Sequence, residues 1–118
     1  MLIEFSIGNY KSFKDIVTFS MVAANLTSKN KKLDVTNTFN YKKSMNLLKA
    51  AAIYGSNASG KSNFIKAFVF MRSFVISSSK DTQATEEIRV ENYKLSTPTE
   101  DTPSYFEIIF VIGGIRYR

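Results

Sequence analysis

The chain has 118 residues, of which 44% are hydrophobic and 22% charged, and it contains ten Phe and six Tyr. This composition excludes a disordered or collagen-like protein and fits one small domain with a packed core. Cysteine and histidine are absent, which excludes disulfides, thiol catalysis, Cys/His zinc sites and a Ser-His-Asp triad. No apolar run approaches the roughly 18–20 residues of a membrane span, and no signal-peptide pattern is present, so we expect a soluble cytoplasmic protein.

The net charge of +6 is unevenly distributed. Residues 1–80 carry 12 basic and 3 acidic side chains, whereas residues 81–118 carry 4 basic and 7 acidic ones. The basic part favours a polyanionic ligand, either nucleotide phosphates or a nucleic-acid backbone. A solvated lysine-rich surface explains the charge equally well.

The first predicted elements are two short strands. Apolar residues alternate over residues 1–7, which is typical of a strand with one buried face, and Gly8 and Asn9 end it. Residues 16–23 are rich in β-branched and aromatic side chains and predict a second strand that pairs antiparallel with the first. Residues 25–45 are polar and predict a long loop.

The centre of the chain predicts a buried strand followed by a helix. Residues 47–54 form a short apolar run, as in a strand buried on both faces. The segment that follows the next turn is apolar on most sides, which predicts a helix enclosed between layers, with Asn63, Lys66 and Arg72 near solvent. Residues 77–87 predict a polar linker.

The last third of the chain predicts mostly strands. Residues 89–96 are compatible with a strand, residues 97–103 with a loop, and residues 105–112 with a strong strand. Gly113 and Gly114 predict a two-residue hairpin turn. The returning strand has only four residues when the sequence stops, so we expect the domain to continue beyond residue 118.

One motif carries chemistry. Residues 55–62 match the G-x-x-x-x-G-K-[ST] pattern of the phosphate-binding Walker A loop, between a predicted strand and a predicted helix. Its glycines allow a concave backbone whose N–H groups face phosphates, Lys61 adds a positive charge, and the Ser62 hydroxyl can coordinate Mg²⁺. A glycine-rich turn without nucleotide is the alternative. The candidate nucleotide-binding residues are Gly55, Ser56, Asn57, Ala58, Ser59, Gly60, Lys61 and Ser62.

Two segments together resemble a known family. Residues 7–13 (Ile-Gly-Asn-Tyr-Lys-Ser-Phe) and residues 51–67, which contain the phosphate loop, are similar to the first lobe of ABC-type ATPase heads of the SMC and RecF kind. The nearest likeness is to bacterial AAA-family ATP-binding proteins of the abortive-infection and overcoming-lysogenization-defect group. The resemblance implies an α/β or α+β P-loop NTPase fold. Residues 1–118 would then be the N-terminal part of an ABC-type ATPase head, a truncated mixed sheet around one buried helix.

The resemblance also implies ligands and partners. ATP and Mg²⁺ would bind at the Walker A loop, with Lys11 and Ser12 beside the nucleotide and Lys11 near the phosphates or ribose. From the residues alone, Lys11 is equally an ordinary exposed turn lysine, and Asn57 and Asn63 are minor polar contacts or a helix cap. In the family, two heads form a homodimer that controls a nuclease or other effector in anti-phage defence, or that processes DNA.

Other elements of the family's pattern are absent from this sequence. No apolar run ends in Asp-Glu as a Walker B strand does, no LSGGQ-like signature and no switch histidine are present, and Gln83 gives little support for a Q-loop. No catalytic set is therefore complete within these residues. We expect ATP hydrolysis from the full-length protein, and binding without efficient turnover from these 118 residues.

Two alternatives remain open. The chain could be a nucleic-acid-binding module in which lysines contact backbone phosphates and Phe39 and Tyr41 stack on bases. It could also be another P-loop enzyme, such as a small kinase or GTPase, although no guanine-reading Asn-Lys-x-Asp pattern occurs. The acidic group Glu86, Glu87 and Glu91 is interpreted as a solvated face. The lysines of the nucleic-acid alternative are Lys29, Lys31, Lys32, Lys42 and Lys43.

Overall fold

The computed structural model describes residues 1–25, 31–42, 45–78 and 88–118. Six strands and three helices lie within the described residues. In chain order they are β1 (Leu2–Gly8), β2 (Val17–Ser20), α1 (Lys31–Thr36), β3 (Thr38–Lys42), β4 (Met45–Leu48), α2 (Lys61–Ser77), α3 (Thr97–Glu100), β5 (Tyr105–Ile112) and β6 (Ile115–Tyr117).

The chain divides into two compact units. The first comprises Met1–Ser6, Thr18–Ile53 and Glu107–Arg118, and the second comprises Ile7–Val17 and Tyr54–Phe106. None of the described helices is long and apolar enough to cross a membrane.

A four-stranded sheet has the strand order β2-β1-β5-β6. The backbone N–H of Met21 donates to the Ile3 carbonyl at 2.8 Å, and Ser6 Oγ lies 2.8 Å from Thr18 Oγ1. As residue numbers rise along β1, the numbers of their partners in and after β2 fall, so the two segments pair antiparallel. Both predicted N-terminal strands are confirmed, although β2 is shorter than residues 16–23.

The C-terminal hairpin follows the sequence prediction closely. Strands β5 and β6 pair antiparallel with Ile112 opposite Ile115. The two turn residues, Gly113 and Gly114, have φ angles of 57° and 81°. Two consecutive positive φ angles define the turn type whose twist matches antiparallel strands, and glycine adopts them without steric cost.

The polar segment of residues 25–45 is not a loop throughout, so that prediction is wrong for part of it. Among its described residues it contains α1 and β3, and β3 pairs antiparallel with β4 in a separate two-stranded sheet. A hairpin covered on one face needs only alternate apolar side chains. Tyr41 and Met45 supply them by packing against the buried cluster that contains Leu47, and the intervening polar residues hid this pattern.

The core of the first unit joins its two sheets. Leu47 is fully buried and clusters with Ile3, Ile109 and Val111. Leu47 also forms an isolated antiparallel bridge with Val22. The hairpin β3–β4 is thereby fixed to the four-stranded sheet through apolar contacts, as expected for a small unit with one continuous core.

The predicted buried strand at residues 47–54 is wrong beyond Leu48. Residues 51–55 lie outside regular secondary structure and are exposed, with 91% of Tyr54 accessible. A strand buried on both faces requires hydrogen-bonding neighbours at its edges, and no described strand pairs with residues 51–54. The pairings identified among the described strands are antiparallel, so the predicted mixed sheet is not found in this part of the chain.

In the second unit, α2 is the predicted helix, but it is not enclosed. Only Phe64 and Ala67 are buried along its 17 residues, whereas Ile65, Val69 and Ile76 are more than half exposed. The prediction that its polar residues alone face solvent is wrong. A helix that is apolar on most sides needs covering layers on more than one side, and the described residues cover one face.

An aromatic cluster packs on the covered face of α2. The ring centroid of Tyr10 lies 5.2 Å from that of Phe106 and 6.1 Å from that of Phe70, and the rings of Phe70 and Phe106 are 4.9 Å apart. Such tilted and edge-on contacts are the favoured geometries for aromatic pairs. Burial within this cluster raises the pKa of the Tyr10 hydroxyl.

Residues 79–87, which include most of the predicted linker, lie outside the described residues. The segment after them, residues 89–103, differs from its prediction. Residues 89–96 form no strand, and the one-turn helix α3 lies within the predicted loop of residues 97–103. Hydrogen bonds from outside the segment hold it instead: Lys11 N–H donates to the Glu91 carbonyl, and Tyr93 N–H donates to Asn9 Oδ1. These bonds satisfy backbone groups that a strand neighbour would otherwise satisfy.

Candidate functional site

Residues 55–62, the candidate phosphate loop, lead directly into α2, and the loop backbone requires glycine at one position. Gly60 is the N-cap residue of α2 and has a φ angle of +89°. A Cβ at this position would lie only 3.1 Å from Ser12 Oγ. Both the left-handed conformation and the close approach therefore favour glycine. Ala58 also has a positive φ angle, +64°, without the freedom of glycine.

The loop is folded around the ammonium group of Lys61. Its Nζ donates to the Gly55 carbonyl at 2.7 Å and the Ser56 carbonyl at 2.6 Å, with a longer bond of 3.2 Å to Ser59 Oγ. An ammonium has three donors, so these contacts use its full capacity. The two carbonyls fix the position of the charge relative to the loop.

A cavity of about 350 Å³ opens at the loop. The N-cap Gly60 offers no side chain, so the first N–H groups of α2 have no side-chain cap, and they carry the positive end of the helix dipole. The Ser62 side chain is exposed next to them. The arrangement is suited to an anion with several oxygens. The lining residues are Asn57, Ala58, Ser59, Gly60, Lys61, Ser62 and Asn63.

Ser12, which the resemblance places beside the nucleotide, contacts the loop region. Its Oγ accepts a hydrogen bond of 3.0 Å from Nδ2 of Asn63, in the first turn of α2. Together with the approach to Gly60, this bond places the turn of residues 10–13 against the start of the helix. Asn63 is therefore a link between two parts of the site, and Asn57 lines the cavity.

Lys11 binds a residue that sequence reasoning did not connect with the site. Its Nζ lies 2.6 Å from Glu91 Oε2, and its side chain is only 16% exposed. The hydrogen bond and charge of Lys11 lower the pKa of the Glu91 carboxyl, and the charges of Lys94 and Lys66 add to this lowering. Glu91 is thus an ion-pair partner and not merely part of a solvated face. Its acidic neighbours at 86 and 87 lie outside the described residues.

Sequence reasoning also missed Asn9, which appeared only as a strand end. Asn9 is buried and has a φ angle of 44°. Its Nδ2 donates to the carbonyls of Thr99 (2.8 Å) and Thr102 (2.7 Å), and its Oδ1 accepts from Tyr93 N–H (3.1 Å). Asn tolerates the left-handed conformation better than most residues. The sequence signal that could have indicated this role is the Gly8-Asn9 pair before a polar turn.

The described residues supply no clustered protein ligands for a metal. They contain no group of three or more His, Cys, Asp or Glu residues arranged to hold an ion. The Ser62 hydroxyl is the only predicted metal ligand, and Mg²⁺ commonly completes its shell with phosphate and water oxygens.

The residues of the nucleic-acid alternative are only partly described. Lys29 and Lys43 lie outside the described residues. The Nζ of Lys42 sits 5.3 Å from the centre of the Tyr41 ring, whose hydroxyl donates to the Gly114 carbonyl. Tyr41 is therefore engaged within its own unit and packs against the core, whereas Phe39 is 45% exposed. Lys32 is exposed on α1, whose first residue is Lys31.

Comparison with known proteins identifies the family. Residues 50–118 match the model of the family described as "AAA domain, putative AbiEii toxin, Type IV TA system". No curated protein and no solved structure matches the chain. The match includes the candidate phosphate loop and α2, and the resemblance to AAA-family proteins of abortive infection is confirmed. Because the match covers more than half of the sequence, the chain belongs to this AAA-domain family, a family of nucleotide-binding, ATPase-like proteins.

Proposed function

We propose that residues 55–62 are the Walker A loop of this AAA domain and bind the phosphates of ATP together with Mg²⁺. The observation that carries the proposal is the position of Lys61, whose ammonium is held by the carbonyls of Gly55 and Ser56 beside the cavity. A cation fixed in this way needs little rearrangement to meet an anion, and such preorganisation reduces the cost of binding.

The donors around the cavity fit a polyphosphate. The first residues of α2, whose N–H groups have no side-chain cap, line the same cavity, and Lys61 is one of them. The longest Lys61 contact, 3.2 Å to Ser59 Oγ, is the one that a phosphate oxygen would replace most easily. Hydrogen bonds between charged partners are stronger than those to a neutral hydroxyl.

Magnesium fits the same arrangement. The exposed Ser62 hydroxyl is adjacent to Lys61, so an ion bound there would contact both the protein and the phosphate oxygens. Its charge would offset the negative charge of the triphosphate. The protein's own contribution is to place one neutral oxygen ligand next to a cationic loop.

At a larger scale, we propose that the protein is part of an SMC/RecF-like ATPase. The rest of the head and a second head would complete the hydrolytic site, and the assembly would control a nuclease or other effector in anti-phage defence or DNA processing. The family description, which names a toxin of a toxin–antitoxin system, supports this direction. A sole nucleic-acid-binding role is less well supported, because Tyr41 is engaged in intramolecular contacts.

The test is equilibrium binding of fluorescent ATP and GTP analogues to the 118-residue chain with Mg²⁺. We expect Lys61→Ala to weaken binding by about 10- to 100-fold, the range for losing a charged hydrogen-bond donor. The matched control is Lys42→Ala, which removes the same charge from the hairpin β3–β4. Unchanged affinity after Lys61→Ala, or no saturable binding by a folded wild-type chain, would refute the proposal.

A further inference from the structure

The turn of residues 10–13 presents two neighbouring side chains to two different parts of the second unit. Tyr10 and Phe13 exchange backbone hydrogen bonds of 2.9 and 2.8 Å, so Lys11 and Ser12 form the tip of a tight turn. Lys11 has a φ angle of 49°. Ser12 binds Asn63 on α2, and Lys11 binds Glu91.

The contacts of Ser12 place this tip beside the phosphate loop. Ser12 Oγ is 3.1 Å from the position that a Cβ on Gly60 would occupy, and Gly60 lines the candidate anion cavity. Lys11 is the next residue and carries a long cationic side chain with a flexible stem. In this structure its ammonium is held by the Glu91 carboxylate and does not line the cavity, but its place next to Ser12 allows a side chain of this length to turn toward the loop.

Glu91 holds Lys11 at two points. The side chains form the 2.6 Å ion pair, and the backbone N–H of Lys11 donates to the Glu91 carbonyl at 2.9 Å. The Glu91 carboxylate is 66% exposed, and exposed ion pairs contribute little net stability. The backbone bond can therefore fix the position of the turn while the ammonium exchanges the carboxylate for a stronger anion.

We infer that Glu91 is a positioning residue that holds the Lys11 ammonium in the nucleotide-free chain and competes for it with the phosphates of a bound nucleotide. This inference rests on the proposed nucleotide site. Glu91 lowers the affinity for every anionic ligand that must take Lys11 from it. The ligand that gains most from Lys11 loses most to this competition, so the pair narrows the preference for a triphosphate over a diphosphate.

The experiment is a double-mutant cycle read by the Kd of fluorescent ATP and ADP analogues with Mg²⁺. We expect Glu91→Gln to tighten ATP-analogue binding by about two- to fivefold, the range of an exposed ion pair, and to raise the preference for ATP over ADP. In the Lys11→Met background, Glu91→Gln should have no effect. The matched control is Asp101→Asn, which removes another exposed carboxylate of the same unit and should leave the Kd unchanged.

The outcomes separate the two proposals. If Glu91→Gln tightens binding equally with and without Lys11, the effect is general charge repulsion and the competition is refuted. An unchanged Kd in Glu91→Gln also refutes it, while nucleotide binding that depends on Lys61 would leave the phosphate site intact. If the folded wild-type chain binds no nucleotide, the phosphate site itself is wrong, and the role of Glu91 is overturned with it.

Discussion

Replacing Asn9 by alanine should destabilise the second unit more than any ordinary polar substitution at its surface. Asn9 is 7% exposed, and its amide connects the turn of residues 10–13 to Tyr93, Thr99 and Thr102. The substitution removes this whole network and leaves alanine at a φ angle of 44°. Both changes destabilise the folded state.

The expected loss of folding stability follows from the hydrogen-bonding groups that lose Asn9 as their partner. The partly buried Tyr93 N–H loses the Asn9 acceptor, at a cost of about 1–2 kcal/mol, the lower part of the range for an unsatisfied donor. The carbonyls of Thr99 and Thr102 keep longer bonds from other side chains, so we assign about 1 kcal/mol to their loss together. Alanine in the left-handed region adds about 1 kcal/mol. The sum of about 3–4 kcal/mol is a large part of the roughly 5–15 kcal/mol that stabilises a typical domain.

Urea denaturation of the purified chain, followed by circular dichroism, measures this difference. Asn9→Gly should recover about 1 kcal/mol relative to Asn9→Ala, because glycine adopts the positive φ angle freely. The matched control is Asn92→Ala, whose amide donates to the Glu100 and Thr102 carbonyls but is less buried, and it should cost about 1–2 kcal/mol. Equal destabilisation by Asn9→Ala and Asn92→Ala would refute the reasoning.

Two further predictions concern the site. Ala58→Gly removes the strain of a φ angle of +64°, so we expect the free energy of unfolding to rise by about 0.5–1 kcal/mol with nucleotide binding retained; a lower melting temperature would contradict this. For Glu91, Lys11 holds the folded-state carboxyl pKa below its ordinary value near 4.5, with Lys94 and Lys66 adding to the effect. The ion pair therefore stabilises the fold at neutral pH and loses its effect as the pH falls through the folded-state pKa. The difference in melting temperature between wild type and Glu91→Gln should shrink from pH 7 to pH 3, and a constant difference would show that the ion pair is not its source.

Features governed by neighbours in sequence were predictable. Alternation over the first residues identified β1, and the Gly113-Gly114 pair identified the hairpin turn, because each depends on local backbone geometry. The phosphate-loop motif marked the turn that precedes α2, because spacing and residue type suffice to define it. Burial of the helix and of residues 47–54 was not predictable, since apolar character shows what can be buried but not whether a covering layer is present.

Tertiary structure decided how the candidate site is assembled. The pairing of Lys11 with Glu91 and of Ser12 with Asn63 joins residues far apart in sequence, and no periodicity encodes such contacts. Likewise, Asn9 organises residues 93–102 through hydrogen bonds that exist only once the chain has folded. The sequence alone determined that a cationic loop precedes a helix. Only the fold determined which side chains surround that loop, because side-chain hydrogen bonds and ion pairs depend on distances between segments that the local sequence does not specify.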